Sequence, residues 1–201
     1  MGKQLYVIAG EASGDLHGGN IVKALLREDP SLSIRAWGGD RMQAAGAEVV
    51  KHYRELAFMG FTQVLLNLRA ILRNVRDCKT DVADFKPDAI ILIDYPGFNL
   101  RIAEFAHDRG MPVFYYISPQ VWAWKAGRVK TIKRVVDRMF VILPFEKDWY
   151  AEHGMKVEFV GHPLLDAIPE YPTEHLPPPG EKPLVALLPG SRVQEISRML
   201  P

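Results

Sequence analysis

The chain carries one cysteine, Cys78, in 201 residues. A disulfide framework and a multi-cysteine zinc site are thereby excluded, and the composition fits a reducing cytosol. Charge of one sign is lacking too. The 25 Lys and Arg nearly cancel the 24 Asp and Glu, leaving a net charge of +1, which argues against a general nucleic-acid binder. No uninterrupted apolar run reaches the ~18 residues of a membrane-spanning helix, so none is expected. The N-terminus, MGKQLYVIAGEASGD, meets an acid after a short apolar run and does not read as a secretory signal. The six histidines are scattered, with no H-E-x-x-H or D-x-D pattern, and no metal site is expected.

What is present is a soluble core. Hydrophobic residues make up 48% and charged residues 24%, too apolar for a disordered chain. Short β-rich runs alternate with helical stretches, predicting an α/β fold with a mainly parallel sheet. Strands are expected at Leu5 to Ala9, Ser33 to Trp37, Ala47 to Val50, Ala89 to Ile93, Val113 to Ile117 and Met139 to Leu143, with a further one at Val157 to Val160. Ala89 to Ile93 is apolar throughout, as a strand covered on both faces should be. Helices are expected from the first Gly-rich turn to Arg27, over about 58–85, and at Leu100 to Asp108, Gly127 to Val136 and Phe145 to His153.

Seven of the 15 prolines fall between Pro163 and Pro183, which reads as a semi-rigid linker. A strand at Leu184 to Leu188, the turn Pro189-Gly190-Ser191 and a helix start follow. These cannot bury their own apolar faces. The expected organisation is a domain over 1–162, a linker over 163–183 and the opening elements of a second, incomplete domain over 184–201.

Several segments could carry chemistry. The turn Gly10-Glu11-Ala12-Ser13-Gly14-Asp15 follows the first strand and opens a helix. It reads either as a tight turn capped by Ser13 or Asp15, or as a sugar-facing loop in which Glu11 and Asp15 accept from hydroxyls. Asp94 directly follows the buried strand Ala89 to Ile93, at the end where open α/β sheets bind ligands. If the strand order is 3-2-1-4-5-6, Glu11 and Asp94 flank one crevice, and partial desolvation makes Asp94 a better general base. The competing reading is an acid that orders the Tyr95-Pro96-Gly97 turn.

In Ser118-Pro119-Gln120-Val121-Trp122-Ala123-Trp124-Lys125, the two tryptophans suit a sugar ring and Lys125 a phosphate, or both rings plug the core beneath a loop. Over 58–75 the apolar surface is wider than one stripe. It includes Phe58, Met59, Phe61, Leu65, Leu68 and Leu72, with Arg69 and Arg73 on the later turns. A membrane interface, a dimer contact, acyl-chain binding or a helix buried on both sides would each use such a surface. Arg192, after Pro189-Gly190-Ser191, could grip a diphosphate at a helix start. His162 stands at the expected domain boundary, where it lines a cleft or caps a turn.

Taken in order, AGEASGD, IDYPGFN, SPQVWAWK, LPFEKDWY, VGHPLLD and LPGSR resemble the lipid-A-disaccharide synthase family. The resemblance covers nearly the whole chain but only about the first half of such an enzyme. It implies the N-terminal Rossmann-like, doubly wound domain of a two-domain GT-B-type glycosyltransferase. The implied reaction joins UDP-2,3-diacylglucosamine to 2,3-diacylglucosamine 1-phosphate with inversion, giving a β-1,6 disaccharide and UDP in lipopolysaccharide synthesis. On this reading Asp94 deprotonates the acceptor 6-hydroxyl and Arg192 stabilises the leaving UDP. Glu11, Ser13, Gly14 and Asp15 position the acceptor, with Ser118, Trp122, Trp124, Lys125 and His162 lining the substrate site.

The resemblance also implies acylated sugar lipids as partners and a cytoplasmic, peripheral place on the inner membrane of a Gram-negative-type bacterium. No cofactor, metal or nucleic acid is implied, and any homodimer would form through the missing half. The chain alone is expected to be inactive. In some members of the family an acid stands in the place of Gly97, so Asp94 is expected to act without that neighbour. The alternatives are a binding module without catalysis, a related enzyme acting on UDP-N-acetylglucosamine, and a flavodoxin-like cofactor binder.

Overall fold

The computed structural model describes residues 2–56 and 68–167, together with 185, 187, 188, 196, 197 and 199. The chain divides into two compact units, Met1–Leu165 and Asp166–Pro201. In the first unit, seven parallel strands form one sheet in the order β3-β2-β1-β4-β5-β6-β7. They are β1 (Gln4–Ala9), β2 (Ser33–Gly38), β3 (Glu48–His52), β4 (Ala89–Ile93), β5 (Val113–Tyr116), β6 (Arg138–Val141) and β7 (Glu158–Phe159). Among the described residues the α-helices are α1 (Ala12–Glu28), α2 (Asp40–Ala44), α3 (Leu68–Phe85), α4 (Pro96–His107), α5 (Val121–Trp124), α6 (Val129–Val135), α7 (Pro144–Glu152) and α8 (Leu164–Ala167).

Strand alternation builds a core on each face of the sheet. Tyr6 and Ile8 of β1 point to one side, with Ile90 and Leu92 of β4, Tyr115 of β5, and Val75, Cys78 and Val82 of α3. Val7 and Ala9 point to the other, with Ala36, Ile93, Met42 of α2 and Val22 of α1. This is the arrangement that the doubly wound expectation requires. Close approach sets the position of α1: a Cβ at Gly14 would lie 3.2 Å from Ala9 Cβ, and one at Gly19 would lie 2.9 Å from the Arg41 carbonyl oxygen.

Three local expectations shift. The fourth helix begins at Pro96 instead of Leu100, because proline is pre-organised for the first helical position. Val121–Trp124 is a helical turn, not a loop. The third strand is Glu48–His52, one residue later than expected at its start. Of the expected strand Leu184 to Leu188, the described residues Val185, Leu187 and Leu188 are exposed and outside regular structure. Most of the proline-rich linker lies outside the described residues.

Candidate active site

The order of strands reverses direction between β1 and β4, which lie side by side with Ala9 opposite Ile93. Gly10-Glu11 and Asp94-Tyr95 therefore leave the sheet next to one another, at its carboxyl edge. Such a switch point opens a crevice because the chain departs to opposite faces on its two sides.

The exit from β4 is unusual. Asp94 and Tyr95 both adopt left-handed backbone conformations, with φ of 43° and 48°. Two such residues in succession, neither of them glycine, cost about 1–3 kcal/mol each. Buried donors offset this. The Asp94 carbonyl accepts from the Tyr115 hydroxyl at 2.6 Å and from Asn99 Nδ2 at 2.8 Å. Asn99 Nδ2 also donates to the Ile93 carbonyl at 3.1 Å, and the Asp94 amide donates to the Tyr116 carbonyl at 3.1 Å. A buried bond is worth roughly 1 kcal/mol net, and more is lost when its partner is left unmade. Tyr115 is fully buried, and burial pushes its phenol well above the ordinary range, so it stays a donor.

The Asp94 side chain is exposed at the crevice, yet neighbouring protein atoms displace part of its water. That desolvation raises its carboxyl above the ordinary range, the charge of Glu11 raises it further, and the Tyr95 amide opposes both. Glu11 and Asp94 thus lie close enough for one charge to act on the other. A carboxylate with a raised proton affinity is suited to general-base work near neutral pH.

Tyr95 was missed by sequence reasoning as a wall of this crevice. Its ring lies so close to Gly10 that a Cβ there would overlap it. Its hydroxyl donates to the Leu56 carbonyl at 3.4 Å, and its ring meets Phe98, which stacks on Trp37. Asn99 and Tyr115 were missed as well. Asn99, in the first turn of α4, bonds back to the carbonyls of Ile93 and Asp94.

The other candidates separate by environment. Ser13 is exposed beside Glu11, and Gly14 is buried against Ala9. Asp15 is corrected. It is 2% exposed, and its carboxylate accepts from the amides of Gly39 at 2.7 Å, Arg41 at 3.0 Å and Met42 at 3.2 Å. It caps α2, because the first turn of that helix has amides with no other partner. Ser118 is also corrected: it is buried, and its hydroxyl is bonded to the Tyr150 hydroxyl at 2.7 Å and donates to the Pro119 carbonyl at 3.1 Å. Ile117, beside it, holds a φ of 61° at the end of β5.

The tryptophans split. Trp122 is half-buried against Phe145, ring centroids 5.0 Å apart, whereas Trp124 is 68% exposed with the exposed Lys125 Nζ 4.2 Å from its ring centroid. His162 Nδ1 accepts from the Leu164 amide at 3.3 Å. Near it in its electrostatics is His17, a buried residue of α1 that the sequence did not single out, whose Nδ1 has no hydrogen-bond partner among the described residues. Burial first, and His162 second, lower the proton affinity of His17.

Arg192, Phe58, Met59, Phe61 and Leu65 lie outside the described residues. Leu68 opens α3, and Arg69, Leu72 and Arg73 are exposed on it. Among the described residues no group of three or more His, Cys, Asp or Glu is placed to hold a metal ion. No helix among them is long and apolar enough to cross a membrane.

The parallel sheet, its order and its switch point define one Rossmann-like half of a GT-B-type fold. Solved structures of UDP-N-acetylglucosamine 2-epimerases share it. One from Listeria monocytogenes, described as putative, aligns with a TM-score of 0.64 at 10% identity, over 89% of this chain and 50% of that one. One from Neisseria meningitidis, bound to UDP-GlcNAc, aligns with a TM-score of 0.56 at 13% identity, over 82% and 47%. At such identity they establish the fold alone.

The family emerges from sequence. The lipid-A-disaccharide synthetase family model matches residues 5–201. The lipid-A-disaccharide synthase of Geobacter metallireducens is 48% identical over 204 residues, covering 99% of this chain and 53% of the relative. That of Syntrophus aciditrophicus is 47% identical, with the same coverage. The chain belongs to the lipid-A-disaccharide synthase family, and it spans about half the length of these relatives.

Proposed function

We propose that this chain carries the acceptor-binding half of an inverting glycosyltransferase of lipid A biosynthesis. The substrates are UDP-2,3-diacylglucosamine and 2,3-diacylglucosamine 1-phosphate. The observation that supports this most is the placement of Asp94 beside Glu11 at the switch-point crevice, in a chain of this family. Asp94 takes the proton of the acceptor 6-hydroxyl as that oxygen bonds to the donor's anomeric carbon. The bond from that carbon to UDP breaks, its electron pair leaves with UDP, and the α linkage becomes β.

Glu11 and Ser13 orient the acceptor from the start of α1, and Tyr95 walls the crevice. Trp124 and Lys125 offer an exposed ring face and a cation to the sugar and its phosphate. Arg192 is the proposed partner of the leaving diphosphate. The exposed Leu72, between Arg69 and Arg73, supports contact of the segment around it with a cytoplasmic membrane surface. No metal or cofactor has a part in this reading, and the chain alone binds acceptor without turning it over.

The test is turnover in a full-length synthase that includes this chain. Asp94→Ala is expected to abolish UDP release while leaving the fold intact by circular dichroism. Near-normal release would remove Asp94 as the base.

A further inference from the structure

Asp94 is held by its backbone. Its carboxylate takes a hydrogen bond from the Tyr95 amide of the same turn, so its direction follows the conformation of that main chain. That conformation is left-handed and is followed by a second left-handed residue. Two side chains from different elements grip the single carbonyl between them: Tyr115 from β5 at 2.6 Å and Asn99 from α4 at 2.8 Å. Both are completely buried. Asn99 spends its second Nδ2 hydrogen on the preceding carbonyl, of Ile93, so one amide group spans the end of β4.

A left-handed Asp-Tyr pair without these donors would relax to an ordinary extended exit. The change in φ would carry the Asp94 carboxylate away from Glu11. The sheet thus uses a neighbouring strand and the following helix to aim one side chain.

We propose that Tyr115 and Asn99 are positioning residues that lock the Asp94 backbone so that its carboxylate faces Glu11 across the acceptor crevice. Neither touches substrate. The proposal deepens the reading of Asp94 as the base and rests on it for its functional meaning, whereas the lock is a property of this chain that can be measured without turnover. Among the described residues, Glu11 from the β1–α1 turn and Tyr115 from β5 are the titratable groups that interact with Asp94.

The experiment uses the 201-residue chain. The Asp94 carboxyl is followed by 13C NMR across a pH titration in the parent, in Tyr115→Phe and in Asn99→Leu. Tyr115→Phe removes one oxygen and leaves the ring, so the core stays filled. The parent and both variants are also titrated with 2,3-diacylglucosamine 1-phosphate in mixed micelles, with Asp94→Ala alongside.

The expected result is that the Asp94 midpoint falls toward the ordinary carboxylate range in both variants. Affinity for the probe is expected to weaken by about three- to tenfold, the equivalent of one hydrogen bond misaligned. A Tyr115→Phe chain with native amide spectra elsewhere and an unmoved Asp94 midpoint would overturn the lock. If Asp94→Ala binds the probe as tightly as the parent, the role of Asp94 at the acceptor falls, and the lock stands or falls on the midpoints alone.

Discussion

The ring of Tyr95 lies flush against the backbone of Gly10, leaving no room for a Cβ at that glycine. This contact joins the exits of the two adjacent strands that form the crevice, β1 and β4. Gly10→Ala is accordingly expected to displace the ring and destabilise the chain by about 1–3 kcal/mol. Urea denaturation measures it. An unchanged midpoint would mean that the ring does not rest there.

Asp94→Asn should stabilise the chain at neutral pH. The folded-state proton affinity of Asp94 is raised by partial desolvation and by the charge of Glu11. A raised carboxyl favours folding below its unfolded pKa of about 3.9, and that contribution is lost as pH rises through the folded value. Charged Asp94 is therefore unfavourable at pH 7, and asparagine also tolerates the left-handed backbone better. The variant should show a higher urea midpoint than the parent at neutral pH, with the gap narrowing in acid. A gap that widens in acid would contradict the assigned direction.

His17 predicts the opposite dependence. Its proton affinity is lowered by burial and by His162, so the folded chain binds fewer protons there than the unfolded chain. Stability should fall as pH drops through about 6.5, with a slope from this residue of at most ~1.4 kcal/mol per pH unit. His17→Gln should flatten that part of the curve, and His107→Gln serves as the control. Equal slopes in parent and His17→Gln would place the buried ring elsewhere.

Asp15→Ala should cost about 1–3 kcal/mol, because three amides at the start of α2 lose their acceptor. Thermal unfolding reads the loss directly. A substrate contact without structural work would instead leave the melting temperature unchanged.

The tryptophans should diverge. Trp124→Ala is expected to change stability by less than about 0.5 kcal/mol, as exposed substitutions do. Trp122→Ala removes a ring packed on Phe145 and should cost about 2 kcal/mol or more. Equal effects would erase the distinction between a packing ring and a surface ring.

The sheet was legible because alternation of short apolar strands and helices leaves few topologies, and Ala89–Ile93 was read to the residue. Asp94 was legible because it ends that strand. What was not legible depends on partners far along the chain. Asp15 finds its amides 24 to 27 residues away, and Ser118 finds Tyr150 32 residues away. A turn rich in acids looks the same whether it faces a ligand or caps a neighbouring helix. The left-handed Asp94-Tyr95 pair carries no glycine to announce it, and its support comes from Tyr115, whose place in the sequence reads only as strand. The Trp pair was read together, whereas the helical turn at Val121–Trp124 turns the two rings apart.

The most direct measurement is a titration of this chain with 2,3-diacylglucosamine 1-phosphate in mixed micelles, compared with Asp94→Ala and with the deacylated ligand. The account predicts saturable binding that weakens in Asp94→Ala and needs the acyl chains. Absence of binding by a chain shown to be folded, or binding indifferent to Asp94, would contradict an acceptor site at the β1–β4 crevice.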